Sequence, residues 1–135
     1  MKKARLFILV SLVFVVRISF AQDAKPMAED TLFEDSIIAV LSRLPEIEER
    51  QLYLDSLTKG KGHISYLIQD TPTKSAPYYE IQVGYNSEIR FEVYYTFHVY
   101  KNLKIRYLDP YDNSDSDRGI TLEEWRKRRA NGELK

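Results

Sequence analysis

Between Tyr78 and Leu108 the chain reads YYEIQVGYNSEIRFEVYYTFHVYKNLKIRYL. Large apolar residues stand at every second position. The first run is Tyr79, Ile81, Val83 and Tyr85. The second is Ile89, Phe91, Val93, Tyr95, Phe97 and Val99, and the third is Leu103, Ile105 and Tyr107. Polar residues such as Glu80, Gln82, Arg90, Glu92, Thr96, His98, Lys104 and Arg106 fill the gaps. A period of two marks strands with one buried and one wet face. The block therefore predicts three consecutive antiparallel strands. Upstream, Ile64, Tyr66 and Ile68 alternate with Ser65, Leu67 and Gln69. That predicts a further strand before a loop from Asp70 to Pro77.

Parity of the hairpin loops gives an expected register, because a one-residue slip would bury the charged set. An odd loop centred on Ser87 pairs Tyr85 with Ile89, Val83 with Phe91, Ile81 with Val93 and Tyr79 with Tyr95. A three-residue loop Tyr100-Lys101-Asn102 pairs Val99 with Leu103, Phe97 with Ile105 and Tyr95 with Tyr107. Asn102 takes the left-handed position that such loops need.

Helices flank the strands. Phe33, Ile37, Val40, Leu41 and Leu44 recur at three- and four-residue steps, so one apolar stripe is predicted. Thr31 and Glu34 have capping-box spacing and place the helix start there. Pro45 ends that helix and can open another. Ile47, Tyr53, Leu54 and Leu57 carry this second helix to the Gly60-Lys61-Gly62 break. Near the end, Thr121 and Glu124 repeat the capping-box spacing, and Leu122 and Trp125 are the apolar contacts of a last helix. Arg126 to Arg129 sits at its C-terminal end, where positive charge suits the helix dipole. The expected fold is α+β: an N-terminal helix or helix pair on a four-stranded antiparallel meander, with a short C-terminal helix.

The first residues read as a targeting segment. Lys2, Lys3 and Arg5 precede Leu6 to Val16, which is apolar except for Ser11. Ser19-Phe20-Ala21 fits a signal-peptidase site. Arg17 stops the apolar run well short of the roughly 20 residues of a spanning helix. Residues 1–21 are thus expected to be a signal peptide, 22–29 a flexible leader and 30–135 one domain in the periplasm or outside the cell. No membrane span is expected after cleavage. A lipid anchor at the cleavage site needs a cysteine, and the chain has none. Four of the 20 basic residues leave with the signal and all 20 acidic ones stay, so the mature chain carries −4. An acidic domain is a poor match for nucleic acid or anionic membranes. Without disulfides, stability rests on packing.

The predicted register lays out the second face of the sheet in rows. The middle row, Leu67–Glu80–Tyr94–Leu108, places a carboxylate within an apolar strip. Such a strip is covered or is used for binding. The simpler reading docks Leu122 and Trp125 on Tyr94 and Leu108. The sharper one is a ligand or partner surface made by Tyr78, Glu80, Tyr94 and His98, with His98 opposite Lys104. Glu80 in apolar surroundings is a candidate acid or base, so an enzyme using Glu80 and His98 is a further alternative. No nucleophile with an orienting base is present to name as catalytic. His63 and His98 read as surface histidines.

Residues 113–124 resemble the calcium loop of EF-hand and dockerin type. Asn113, Asp115, Asp117 and Glu124 match ligand positions, whereas Arg118 stands where that loop has glycine. Calcium is the one cofactor that this pattern suggests.

Helix first and then a four-stranded antiparallel meander, across about residues 30–109, resembles the cystatin-like and PepSY-like domains of small exported bacterial proteins. The resemblance is one of element order and carries no functional residue. It implies a range from protease inhibitors to ligand-binding domains and a few enzymes. The leading expectation is a non-enzymatic module that binds a protein or peptide through the tyrosine-bearing face or an edge strand. A small-molecule or calcium-binding module is the alternative.

Overall fold

The computed structural model describes residues 25–111 and 119–134. Two helices, α1 (Lys25–Leu41) and α2 (Pro45–Thr58), precede four strands: β1 (Ile64–Asp70), β2 (Tyr78–Asn86), β3 (Phe91–Tyr100) and β4 (Ile105–Tyr107). A short β5 (Ile120–Thr121) and helix α3 (Leu122–Ala130) complete the fold. The sheet is antiparallel, in the order β1-β2-β3-β4-β5. The fold is α+β as expected, but the sheet has five strands rather than four. Two residues are too few to show alternation, which is why β5 left no mark in the sequence. The signal-peptide reading, on residues 1–21, and the first half of the calcium-loop reading, residues 113–118, lie outside the described residues.

Helix α1 begins at Lys25-Pro26, where proline suits a first turn. Thr31 and Glu34 lie inside the helix and do not cap it. Leu41 ends it three residues before the expected Leu44. Leu44 is extended (φ −68°, ψ 129°), the conformation that a following proline imposes, and Pro45 opens α2. Lys59 and Gly60, both at positive φ, turn the chain out of α2. Gln51 then ties α2 to β1. Its Oε1 accepts from the Ile64 N–H at 2.8 Å, and its Nε2 donates to the Gly62 carbonyl at 3.0 Å.

The β2–β3 register differs from the expected one by four residues. Tyr79 faces Val99, Ile81 faces Phe97 and Val83 faces Tyr95. The partner of Gly84 is then Val93, so Tyr94 is an extra residue in β3. This is a β-bulge. It explains Gly84: a Cβ there would stand 2.1 Å from the Glu92 carbonyl oxygen. The hairpin loop runs from Ser87 to Arg90, and Ile89, expected on the buried face, is 93% exposed at its tip. The Ser87 N–H donates to the Arg90 carbonyl at 3.0 Å and its hydroxyl to the same oxygen at 2.8 Å. The β3–β4 pairing keeps its parity but shifts, with Phe97 facing Tyr107 and Val99 facing Ile105. Leu103, not Asn102, takes the left-handed position (φ 61°). The Asn102 Oδ1 instead accepts from the Lys104 N–H at 3.1 Å.

The core lies between the sheet and the helices. Ile37, Leu41, Ile47, Tyr79, Ile81, Val83, Phe97 and Val99 are buried there. Phe33 packs its ring on Tyr79 with centroids 5.5 Å apart. Helix α3 docks on this same face. Trp125, 1% exposed, stacks on Tyr107 at 4.6 Å and meets Tyr95 and Phe97 edge-on at 5.4 and 5.6 Å. The expected docking of Trp125 on Tyr94 and Leu108 across the outer face is therefore corrected. The expected cap of α3 holds, since the Thr121 hydroxyl accepts from the Glu124 N–H at 3.2 Å.

Candidate functional site

The bulge divides the expected quartet. Tyr78, Glu80 and His98 come together on the outer face, and Tyr94 does not join them. Glu80 pairs with His98 across β2–β3, and His98 with Arg106 across β3–β4 in place of Lys104. His98 Nε2 lies 3.5 Å from Glu80 Oε2. The Tyr78 ring stacks on the imidazole with centroids 3.9 Å apart and planes 15° apart, and Tyr100 meets Tyr78 edge-on at 5.6 Å. His98 is 2% exposed. It is a buried histidine and not the surface one that alternation suggested, because Tyr78 covers it. Glu80 does not sit between Leu67 and Tyr94. Its cross-strand neighbours are Asp70 and His98, and Leu67 faces Gln82. The apolar strip thus dissolves into a polar row. Arg106 closes that row by donating from Nε and Nη2 to the Gly119 carbonyl at 3.1 and 2.8 Å.

Tyr94 sits on the helix side, beside Tyr95. Adjacent residues point the same way only because the bulge interrupts the alternation. Arg50, from α2, lies over both rings, with its guanidinium carbon 4.7 Å from the Tyr94 centroid and 5.8 Å from that of Tyr95. Tyr53, one turn along α2, is 5.7 Å away. Burial pushes the Tyr94 phenol above its ordinary pKa and Glu92 adds to the rise, against the opposing pull of Arg50. A cleft of about 610 Å³ opens here, lined by Arg50, Val93, Tyr94, Tyr107, Asp109 and Tyr111 among others. Sequence reading missed Arg50. The available signal was the Arg50–Tyr53 spacing on one helix face.

A second concave surface runs along β1. Ile47, Glu48, Gln51 and Leu52 from α2 and Ile64 and Tyr66 from β1 line a groove of about 450 Å³. Leu52 on its rim is 71% exposed. Beyond β1 no further strand pairs among the described residues, so β1 is a sheet edge.

The basic run of α3 is not a simple solvated helix end. Arg126 makes a two-pronged contact with Glu46 at 2.6 and 3.2 Å, Arg129 reaches Glu49 at 3.4 Å, and Arg128 reaches Glu124 at 3.0 Å. Burial alone would raise the Glu46 carboxyl, yet the Arg126 hydrogen bonds and charge hold it below its ordinary value. Glu124, the one calcium-type residue within the described part, thus serves α3 through its own backbone N–H and through Arg128. Asn113, Asp115 and Asp117 lie outside the described residues. Among the described residues no group of three or more His, Asp or Glu side chains gathers as a metal site, and no helix is long and apolar enough to cross a membrane. Comparison with known proteins finds no matching family model, no matching curated protein and no matching solved structure.

Proposed function

We propose that the chain is an exported, non-enzymatic module that binds an extended polypeptide segment by strand addition at β1. The observation that carries this reading is the pairing of a bare sheet edge with an apolar groove. β1 is seven residues long, Ile-Ser-Tyr-Leu-Ile-Gln-Asp, with neither lysine nor proline among them. Proteins usually protect such edges with charge, proline or a bulge. Here the only irregularity is a register shift near Gln69, at the far end. An added strand would satisfy the outer backbone groups beyond Ile64, whose N–H Gln51 already holds, and its alternate side chains would reach the groove floor of Ile47, Ile64 and Tyr66. Exposed Leu52 and Leu67 extend the apolar contact on either side of the strand. Glu48 on the rim and Asp70 at the strand end favour a segment that carries basic residues next to its apolar ones. The element order shared with cystatin-like and PepSY-like domains is in keeping with a binding role.

A displayed library of extended peptides tests the reading, with amide hydrogen exchange to locate the bound segment. Selected peptides are expected to alternate apolar and basic residues and to slow exchange within Ile64–Asp70. Leu52→Asp is expected to abolish selection while the fold persists. Protection elsewhere would sink the proposal. So would concentration-dependent protection of β1 without peptide, since that outcome means self-pairing.

A further inference from the structure

We infer that the cleft beneath Arg50 is a second binding site, made for a small zwitterion such as a short peptide with free amino and carboxyl groups. Every other arginine that joins α2 to α3 is spent on a carboxylate. Glu46, one turn before Arg50 and its natural helical partner, is taken by Arg126. Glu49 is taken by Arg129. Arg50 is left among aromatic rings, and no ion pair or hydrogen bond holds its guanidinium among the described residues. It is half-buried, so its five N–H donors are partly withdrawn from water and stacked in place. A cation so placed is prepared for a carboxylate.

The same cleft carries two acids, Asp109 and Glu133. Neither comes within 4 Å of Arg50, so opposite charges stand apart within the cavity and do not neutralise each other. Each is held by a local contact. Asp109 Oδ1 accepts from the Tyr111 N–H at 2.9 Å, and Glu133 Oε1 from the Asn131 amide at 3.1 Å. A simple anion would suffer from these acids, and a simple cation from Arg50. A molecule bearing both charges satisfies both. Tyr94, Tyr107, Val93, Pro110 and Leu134 supply apolar wall between the charges. The volume, about 610 Å³, falls within the usual range for small-ligand sites and exceeds what a lone small amino acid needs. This site lies against β3 and β4 and shares no lining residue with the β1 groove.

The test uses the dipeptide tyrosyl-tyrosine with the full chain, read by calorimetry and by the Arg50 Nε–H resonance. Binding of the free dipeptide is expected, with that resonance shifted. N-acetylation or C-terminal amidation is each expected to weaken binding about ten- to a hundredfold, the value of one charge-assisted hydrogen bond. Arg50→Met is expected to lose the carboxylate contribution, and Asp109→Asn the amine contribution. No binding at millimolar dipeptide overturns the inference, as does equal binding of free and capped forms. The capped ligands keep the test decisive even where a variant fails to fold.

Discussion

Trp125 is a point at which single side chains decide stability. It fills the space between Tyr95, Phe97 and Tyr107 and is almost wholly buried. Its fluorescence is expected at short wavelength and resistant to aqueous quenchers. Trp125→Ala is expected to cost about 3–5 kcal/mol, the usual range for emptying a large aromatic site, in urea denaturation. Its stacking partner sets a second expectation. Burial first, and then the charge of Asp109, push the Tyr107 phenol from 10.0 up to about 12. A phenol whose folded pKa is raised contributes stability that is complete below pH 10 and lost as pH climbs towards 12. Ultraviolet titration should therefore show Tyr107 ionising later than the exposed tyrosines and cooperatively with unfolding. Early ionisation of all ten tyrosines would refute this placement. Gly84 is the third such residue. The neighbour that a Cβ would strike is backbone, which cannot swing aside. Gly84→Ala is expected to destabilise by about 2–4 kcal/mol, well beyond an ordinary glycine change in a strand.

At the level of elements, alternation found the strands and the buried face, because Tyr79, Ile81, Val83, Tyr95, Phe97, Val99 and Tyr107 are all buried. It missed register. Ile89, Phe91 and Val93 continue the same spacing as Tyr95, so nothing in the pattern marks Tyr94 as an extra residue. Only Gly84, opposite the bulge, hinted at it. That one insertion places Val93 opposite Gly84, and it moved Tyr94 away from Glu80 and towards Arg50. The candidate site was thus legible in part: three of its four residues meet, and the fourth defines a different cleft. The contact between α2 and α3 was not legible at all, since Glu46 and Arg126 lie 80 residues apart. It makes its own prediction. The folded-state pKa of Glu46 is lowered, so its contribution is complete above the ordinary value of 4.5 and lost as pH falls below it. Glu46→Gln should flatten the acid limb of a stability–pH curve. Arg126→Ala should cost about 1–3 kcal/mol at neutral pH, less than a fully buried pair because Arg126 is half exposed.

Across the whole molecule, the inner face of the sheet is shared between the two ends of the chain. Helices α1 and α2 cover Tyr79, Ile81 and Val83, while α3 covers Tyr107 and one side of Phe97. The Arg126–Glu46 and Arg129–Glu49 contacts join the two covers. Removing the last segment therefore does more than delete one short helix. A chain ending at Leu108 loses Trp125 from the core and the partner of β4. It also leaves the Glu46 carboxylate, 6% exposed in the intact fold, without its guanidinium. The meander itself is sequential, with each hairpin closing locally, so strand pairing should survive the cut better than side-chain packing does. The truncated chain is expected to keep far-ultraviolet dichroism while losing near-ultraviolet dichroism, and to bind hydrophobic dye. Its urea transition should broaden and shift to lower denaturant. A sharp transition with native near-ultraviolet signal would show that the N-terminal helices complete the core alone.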